Sequence, residues 1–165
     1  MENLISELLK FSDDIIELGG SINDNRIEDF EQYRRLILPY DFKQFIKEIN
    51  GFNLMGTEVY GFNISKSESI ETIYQFEHYE VINPQYSYLV PFSPDGRGNF
   101  YCIDTNNNLE NGDFPIVFWV SNYEYTEDDF PEMTHNNFLD WVQEIVIDWI
   151  LEDYNYDGSE KSNLK

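Results

Sequence analysis

The sequence predicts a single α+β domain, with N-terminal helices and a long C-terminal helix around a central antiparallel sheet of four to five strands. Apolar residues recur at helical spacing before Gly51, form short aromatic and β-branched runs after it, and return to helical spacing near Thr134. A length of 165 residues with 41% hydrophobic residues suits one core and excludes an intrinsically disordered chain. We assign the domain to residues 1–154 and a frayed polar tail to residues 155–165.

Three helices are predicted before the change of period. The first follows from one apolar stripe formed by Leu4, Leu8, Phe11, Ile15 and Leu18. Gly19-Gly20 ends that helix. A second helix covers Asp24 to Arg35. A third begins near Pro39, whose missing N–H suits a first helical turn, and ends at Asn50-Gly51, where glycine accepts the left-handed conformation at little cost.

Short aromatic and β-branched runs predict the strands of one antiparallel sheet. These runs are Thr57 to Phe62, Tyr86 to Phe92, Asn99 to Asp104 and Ile116 to Val120. The segment Ser93 to Gly98 is dense in Pro, Asp and Gly, which predicts a tight hairpin loop. Ser69 to Glu80 fits either a helix or a strand.

The last predicted helix covers Asn136 to Glu152. Thr134 is its expected N-cap. Its apolar face contains Phe138, Trp141, Val142, Ile145 and Trp149, which we expect to pack on the domain.

The charge balance limits the partners that this chain can bind. Ten Lys and Arg residues against 32 Asp and Glu residues give a formal net charge of -22. A surface of that potential repels phosphate backbones and anionic lipid, so we expect no direct nucleic-acid or membrane binding. The single cysteine, Cys102, forms no internal disulfide and suits a reducing cytosol. Acids at Glu2, Glu7 and Asp13 leave no signal peptide, and we expect a cytoplasmic protein.

No residue pattern predicts catalysis, a metal site or a cofactor. Asp104 to Leu109 begins like a calcium loop, but Leu109 stands where glycine is needed and Pro115 where a bidentate carboxylate is needed. His78 and His135 have no second ligand at zinc-like spacing. Cys102 is expected to be a small buried hydrophobe, although a Cys–His pair formed only in space stays open.

Several short motifs occur in an order that resembles one known family. They are Leu38 to Phe42, Asn50-Gly51, Tyr60-Gly61, Val90 to Phe92, Asp95 to Asp104, Val117 to Trp119 and Phe138 to Trp141. Between Ile27 and Trp141 the sequence resembles the SUKH superfamily, the cell-wall-assembly-regulator-like domains. The resemblance implies helices around a central antiparallel sheet. It also implies an immunity protein, because most bacterial members bind and neutralise a toxin, often a nuclease.

The distribution of acids predicts a binding surface. Between Gly98 and Glu160 there are fifteen Asp and Glu residues and no Lys or Arg. Like charges at i,i+4 destabilise a helix, so a monomer gains nothing from such a run, and we expect it to bind a basic partner. The expected contact residues are Tyr123, Glu124, Tyr125, Glu127, Asp128, Asp129, Glu132, Asp140, Glu144, Asp148 and Glu152. A plain solvated face is the alternative for the acids.

The function expected from charge and resemblance together is occlusion of a toxin without catalysis. The acidic surface would cover the basic substrate groove of a protein toxin, for which a nuclease is the natural example. The alternative is an intracellular scaffold or regulatory module that binds host proteins. An adjacent toxin gene distinguishes the first from the second.

Overall fold

The computed structural model describes residues 1–62, 68–110, 112–126 and 128–161. The element order confirms a single α+β domain with a four-stranded sheet and a C-terminal helix. The elements are α1 (Glu2–Leu8), β1 (Ile16–Leu18), α2 (Asp24–Arg34), α3 (Tyr40–Glu48), β2 (Phe52–Leu54), β3 (Thr57–Val59), α4 (Ile70–Tyr79), β4 (Leu89–Pro94), β5 (Phe100–Asp104), β6 (Ile116–Trp119), β7 (Glu132–His135), α5 (Phe138–Trp141), a π-helical segment (Val142–Asp148) and α6 (Trp149–Asp153). We call α5, the π-helical segment and α6 together the last helix, residues 138–153.

The first predicted helix is wrong in its second half. Helix α1 ends at Leu8, and Ile16–Leu18 forms strand β1, which pairs antiparallel with β2. The apolar positions are nevertheless buried, with Leu8 at 0% and Phe11 at 3% exposure. Strand pairing with Phe52–Leu54 satisfies the backbone of this segment, and such tertiary pairing overrides a weak local preference for helix.

The predicted single sheet is divided into two. Strands β1, β2 and β3 form one antiparallel sheet, and β4, β5, β6 and β7 form the second. The two sheets meet at adjacent edges, where Tyr60 N donates to Phe92 O at 2.7 Å and Ser93 Oγ donates to Glu58 O at 2.6 Å. Strand β7 was not predicted, because its exposed polar residues carry no apolar alternation.

Close backbone packing explains Gly61 of the family motifs and also Gly19, which lies outside them. A Cβ added at Gly61 would lie 2.1 Å from the Asn50 carbonyl oxygen, and one at Gly19 would lie 2.0 Å from the same atom. The Asn50 side chain completes this junction, since its Nδ2 donates to Phe62 O at 2.9 Å and its Oδ1 accepts from Phe62 N at 2.7 Å. Asn50 therefore packs against the segment that follows β1 and against the segment that follows β3, and both contacts require a glycine.

The predicted hairpin loop lies between β4 and β5. The Asp95 carboxylate organises it by accepting from Arg97 N at 2.7 Å, Asn99 N at 2.9 Å and Asn99 Nδ2 at 2.8 Å. Gly96 and Gly98 have positive φ values of 75° and 92°, which suit glycine. This motif is structural, as its composition predicts.

The segment left open between helix and strand is helix α4. Ser69 is its N-cap: its Oγ accepts from Thr72 N at 3.3 Å, and Thr72 Oγ1 accepts from Ser69 N at 2.9 Å. This reciprocal capping satisfies two backbone donors at the helix start. Helices α2 and α3 match the predictions closely, with Pro39 as the N-cap of α3.

The C-terminal tail is not frayed over residues 155–161. Tyr154 and Glu160 form a β-bridge, and Lys161 N donates to Asp153 O at 2.7 Å. Ser12 N donates to Tyr156 O at 2.8 Å, and the Tyr156 hydroxyl also bonds to Glu7. The tail therefore packs on the N-terminal segment, while residues 162–165 lie outside the described part of the chain.

Candidate protein-binding surface

The loop between β6 and β7 contains six of the predicted contact residues, and the structure describes five of them. Glu127 lies outside the described residues. Tyr125 is half-buried: its ring stacks on Trp119 with centroids 4.1 Å apart, and its hydroxyl oxygen accepts from Val120 N at 3.1 Å. Tyr123 is 49% exposed and contacts the edge of the Tyr125 ring. Tyr125 therefore anchors the loop to the domain, whereas Tyr123 and Phe130, which is 76% exposed, are rings that the described part of this loop presents to solvent.

Asp129 holds this loop together. Its Oδ2 accepts from Thr126 N at 3.0 Å and Thr126 Oγ1 at 2.9 Å, and from the Tyr123 hydroxyl at 3.4 Å. The hydrogen bonds from Thr126 lower the pKa of Asp129. The Tyr86 hydroxyl donates to the carbonyls of Thr126 and Asp129 at 2.9 and 3.0 Å. The Asp129 carboxylate is thus already hydrogen-bonded to donors within the loop.

The last helix begins one turn later than predicted. Asn137 is its N-cap, with Oδ1 accepting from Asp140 N at 2.8 Å, whereas Thr134 lies in strand β7. Phe138 packs edge to face against Phe42, Phe45 and Phe92 at 4.8, 5.2 and 5.3 Å. This contact fixes the helix across one face of the four-stranded sheet.

The π-helical segment changes which residues of the last helix are buried. Val142, Val146 and Ile147 are each 0% exposed. A π-helical turn contains more residues than an α-helical turn, so the buried face moves onto Val146 and Ile147. The α-helical spacing in the sequence predicts Ile145 and Trp149 on this face; Ile145 is partly buried against the core, whereas Trp149 is not. Sequence periodicity could not reveal this change of register.

Trp149 is consequently an exposed tryptophan. Its exposure is 68%, whereas Trp141 is fully buried at 0% and packs on Phe92 and Tyr101. The expectation that Trp149 packs on the domain is wrong. Large exposed aromatic side chains are frequent anchors of protein interfaces.

The predicted acids outside the loop centre are exposed. They are Glu124, Asp128, Glu132, Asp140, Glu144, Asp148 and Glu152. Their contacts are uncharged or weakly basic: Asn137 Nδ2 donates to Asp140 at 2.9 Å, Gln143 Nε2 donates to Asp148 at 2.7 Å, and His135 Nε2 lies 3.5 Å from Glu144. Within the described ranges none of these seven carboxylates contacts a Lys or Arg.

The strand register divides the predicted contact residues between two faces. Trp119 pairs with Phe100, on the same face as Cys102, and Tyr125 covers it there. Phe118 pairs with Tyr101 and with Glu132 on the opposite face, where Trp141 contacts Tyr101. The loop acids and the last helix therefore lie on opposite faces of the sheet. Glu132 lies on the helix side.

The face opposite the last helix contains Cys102 and several buried polar side chains, among them Gln85 and His78. Cys102 is 0% exposed, and burial raises the pKa of its thiol well above the ordinary value, so the thiolate is disfavoured. Its Sγ lies 3.5 Å from Gln85 Oε1. The His78 ring stacks on Tyr74 at 3.7 Å, with its Nδ1 2.7 Å from Tyr74 O and its Nε2 3.1 Å from Tyr86 O. These contacts are those of packing residues.

Among residues 1–62, 68–110, 112–126 and 128–161, no group of three or more His, Cys, Asp or Glu side chains could hold a metal ion. No helix in the same ranges has the length and apolar composition needed to cross a membrane.

Comparison with known proteins identifies the family. The chain is an α+β domain in which the described contact acids other than Asp129 are exposed on the last helix, on strand β7 and on the loop before that strand. Residues 1–147 match the family model SUKH_5, described as SMI1-KNR4 cell-wall, and the chain belongs to this family. The crystal structure of a protein from Pseudomonas syringae pv. tomato has a similar fold, with a TM-score of 0.64 and 13% identity over 90% of this chain and 99% of that one. No curated protein matches the sequence.

Proposed function

We propose that this protein is a non-enzymatic immunity protein that binds and neutralises a cognate toxin by stoichiometric occlusion. Its family membership is consistent with an immunity-like role. The observation that carries the proposal is the last helix, where exposed carboxylates that have no Lys or Arg partner among the described residues flank an exposed tryptophan. A stable monomer has no need of either feature.

The proposed partner is a basic protein toxin whose substrate groove is positively charged, as in a nuclease. Opposite potentials steer two proteins together and raise their association rate, which matters when few toxin molecules reach the cell. Glu144, Asp148 and Glu152 provide this attraction on the last helix. Trp149 provides the apolar contact that slows dissociation, since desolvated tryptophans contribute most of the energy at many interfaces.

The loop acids have a secondary role in this proposal. Glu124 and Asp128 lie on the other face of the sheet and add to the field that attracts a basic toxin. The Tyr125 ring is packed on Trp119, so Tyr123 and the 76% exposed Phe130 are the aromatic residues that the described part of the loop offers to a partner. The protein is proposed to act in the cytoplasm, where a nuclease toxin meets its substrate.

The test uses a toxin domain encoded beside the gene for this protein. Stoichiometric inhibition of that toxin is expected, and Trp149→Ala should speed dissociation by a factor corresponding to about 2 kcal/mol or more. Ile82→Ala is the control, because Ile82 is 97% exposed in the loop after α4. Unchanged toxin activity at a molar excess of folded protein would contradict the proposed function. Inhibition with equal dissociation rates for both variants would show that Trp149 is not the apolar anchor of the complex.

A further inference from the structure

A groove beside the turn between α2 and α3 has the opposite charge character to the rest of the chain. Its volume is about 680 Å³, and its other wall is formed by Tyr88 and by the segment that follows β5. Three of the ten Lys and Arg residues line it: Arg34, Arg35 and Lys43. In the described part of the chain its lining contains none of the 32 Asp and Glu residues.

Two of these cations have no carboxylate partner within the described residues. Arg35 is exposed, and its side chain makes no hydrogen bond or ion pair there. Arg34 donates to Gln75 Oε1 at 3.1 Å, and its guanidinium lies 4.8, 4.6 and 5.5 Å from the rings of Tyr33, Tyr74 and Tyr79. In a chain with three times more acids than bases, unpaired arginines are unexpected. Lys43, by contrast, pairs with Glu31 at 2.9 Å.

The groove also presents apolar side chains to solvent. Ile37 is 68% exposed and Tyr40 is 76% exposed. Ile37 lies on the short connection between α2 and α3, next to the two arginines, and Tyr40 is the first residue of α3. Arginine and tyrosine are the residue types most enriched at the energetic centres of protein interfaces.

We propose that this groove binds an acidic polypeptide segment of a partner protein, one that carries an aromatic or aliphatic residue among its Asp and Glu side chains. Guanidinium groups bind carboxylates through paired N–H donors, which suits the exposed Arg35, while Arg34 adds its positive charge to the groove. The apolar residue of the segment covers Ile37 and Tyr40. The groove shares no residue with the acidic contact set, so this is a second interaction surface beyond the proposed toxin contact.

A polypeptide fits the charges better than a nucleic acid does. A nucleic acid carries a charge at every nucleotide, so it would extend past the groove over a surface with a net charge of -22. A short acidic segment confines its carboxylates to the positive groove. It also offers the apolar side chain that Ile37 and Tyr40 require.

The test measures binding of a fluorescein-labelled peptide, Glu-Asp-Trp-Glu-Asp-Glu, by fluorescence anisotropy, with Lys-Lys-Trp-Lys-Lys-Lys as the opposite-charge probe. Arg35→Gly is the informative variant. Arg35 has a positive φ of 57°, which glycine adopts without strain, so the variant folds. Arg97→Gly is the matched control, because Arg97 is also exposed and lies outside the groove, on the hairpin loop.

We expect the acidic peptide to bind the wild-type protein and the Arg97→Gly variant equally, and Arg35→Gly to bind about tenfold more weakly. Equal binding of the acidic peptide by both variants, or no binding of the acidic peptide, would each overturn the proposal; the lysine peptide, which the acidic surface attracts, should bind both variants equally. Displacement by a short single-stranded oligonucleotide would assign the groove to nucleic acid instead. Self-association of the wild-type protein that Arg35→Gly abolishes would assign it to a second copy of this chain.

Discussion

The two faces of the four-stranded sheet use their acids differently. On the face covered by the last helix, Asp148 and Glu152 are exposed and have no basic partner in the described ranges. On the opposite face, Glu77 is 4% exposed and accepts from Gln85 Nε2 at 3.4 Å, and Asp129 accepts three hydrogen bonds within its loop. Acids on the second face contribute to the architecture, whereas acids on the first face are available to a partner.

The comparison shows why a count of charges is a poor guide to function. Asp128 and Asp129 are adjacent and identical in type, yet only Asp129 bonds within the loop. A carboxylate that is already satisfied by local donors gains less from an incoming cation than a free one. The contact with a basic partner therefore depends on the free acids.

The largest expected effect is a difference in the free energy of unfolding between variants of two tryptophans on the last helix. Trp141→Ala should lower the free energy of unfolding by about 3–5 kcal/mol, because it leaves a cavity beside Phe92 and Tyr101. Trp149→Ala should change it by no more than about 0.5 kcal/mol, since the side chain is 68% exposed. Urea denaturation measures both. Equal losses would mean that Trp149 is packed and that the π-helical register is wrong.

The next effect concerns the buried acid Glu77. Burial raises the pKa of Glu77 from 4.5, so its protonated form favours the folded state. Its contribution to stability is full below pH 4.5 and is lost as the pH rises through the raised value. Glu77→Gln should therefore stabilise the protein near neutral pH, by on the order of 1 kcal/mol, and have a smaller effect in acid.

The comparison of wild type with Glu77→Gln removes the effect of His78. Burial lowers the pKa of His78 from 6.5, so its contribution to stability is lost as the pH falls below that value. Both proteins carry this dependence, and it cancels in their difference. Thermal melts across the acidic and neutral range provide the measurement. A difference that does not change with pH would show that Glu77 is not held in its neutral form by burial.

The sequence was a good guide to the fold where periodicity alone decides the element. Helices α2 and α3 and the hairpin between β4 and β5 are where the pattern predicted them. The errors fall where tertiary pairing decides. Ile16–Leu18 continues a helical stripe but pairs with β2, and polar β7 exists because β6 offers it an edge.

The candidate site was less predictable than the fold. Composition correctly indicated exposed acids, such as Glu144 and Glu152, on the last helix. It could not show that Tyr125 stacks on Trp119, or that the π-helical segment turns Trp149 outward. Both depend on contacts between residues whose spacing fits an ordinary loop or an ordinary α-helix. The groove at Arg34 and Arg35 was missed because its walls come from distant parts of the chain.

A smaller effect distinguishes the adjacent acids of the loop. Asp129→Asn should lower the melting temperature, because the charged acceptor for Thr126 N and Oγ1 is weakened. Asp128→Asn is the matched control and should leave the melting temperature unchanged, since Asp128 is exposed and makes no such bonds. Differential scanning calorimetry resolves the two. Equal melting temperatures would mean that the loop does not depend on the Asp129 carboxylate.

The smallest expected effects are on the rate of association with the toxin. Glu152→Lys on the last helix and Glu124→Lys on the loop each change the charge by two without touching a described hydrogen bond. Charges at the rim of an interface act mainly on the encounter, so each reversal should slow association a few-fold and reduce its salt dependence. If the last helix is the docking face, Glu152→Lys has the larger effect, because the charge stays close to the partner throughout the approach. Binding kinetics at low and physiological ionic strength measure this difference. A larger effect from Glu124→Lys would move the docking face to the loop side of the sheet and leave Trp149 without its proposed role.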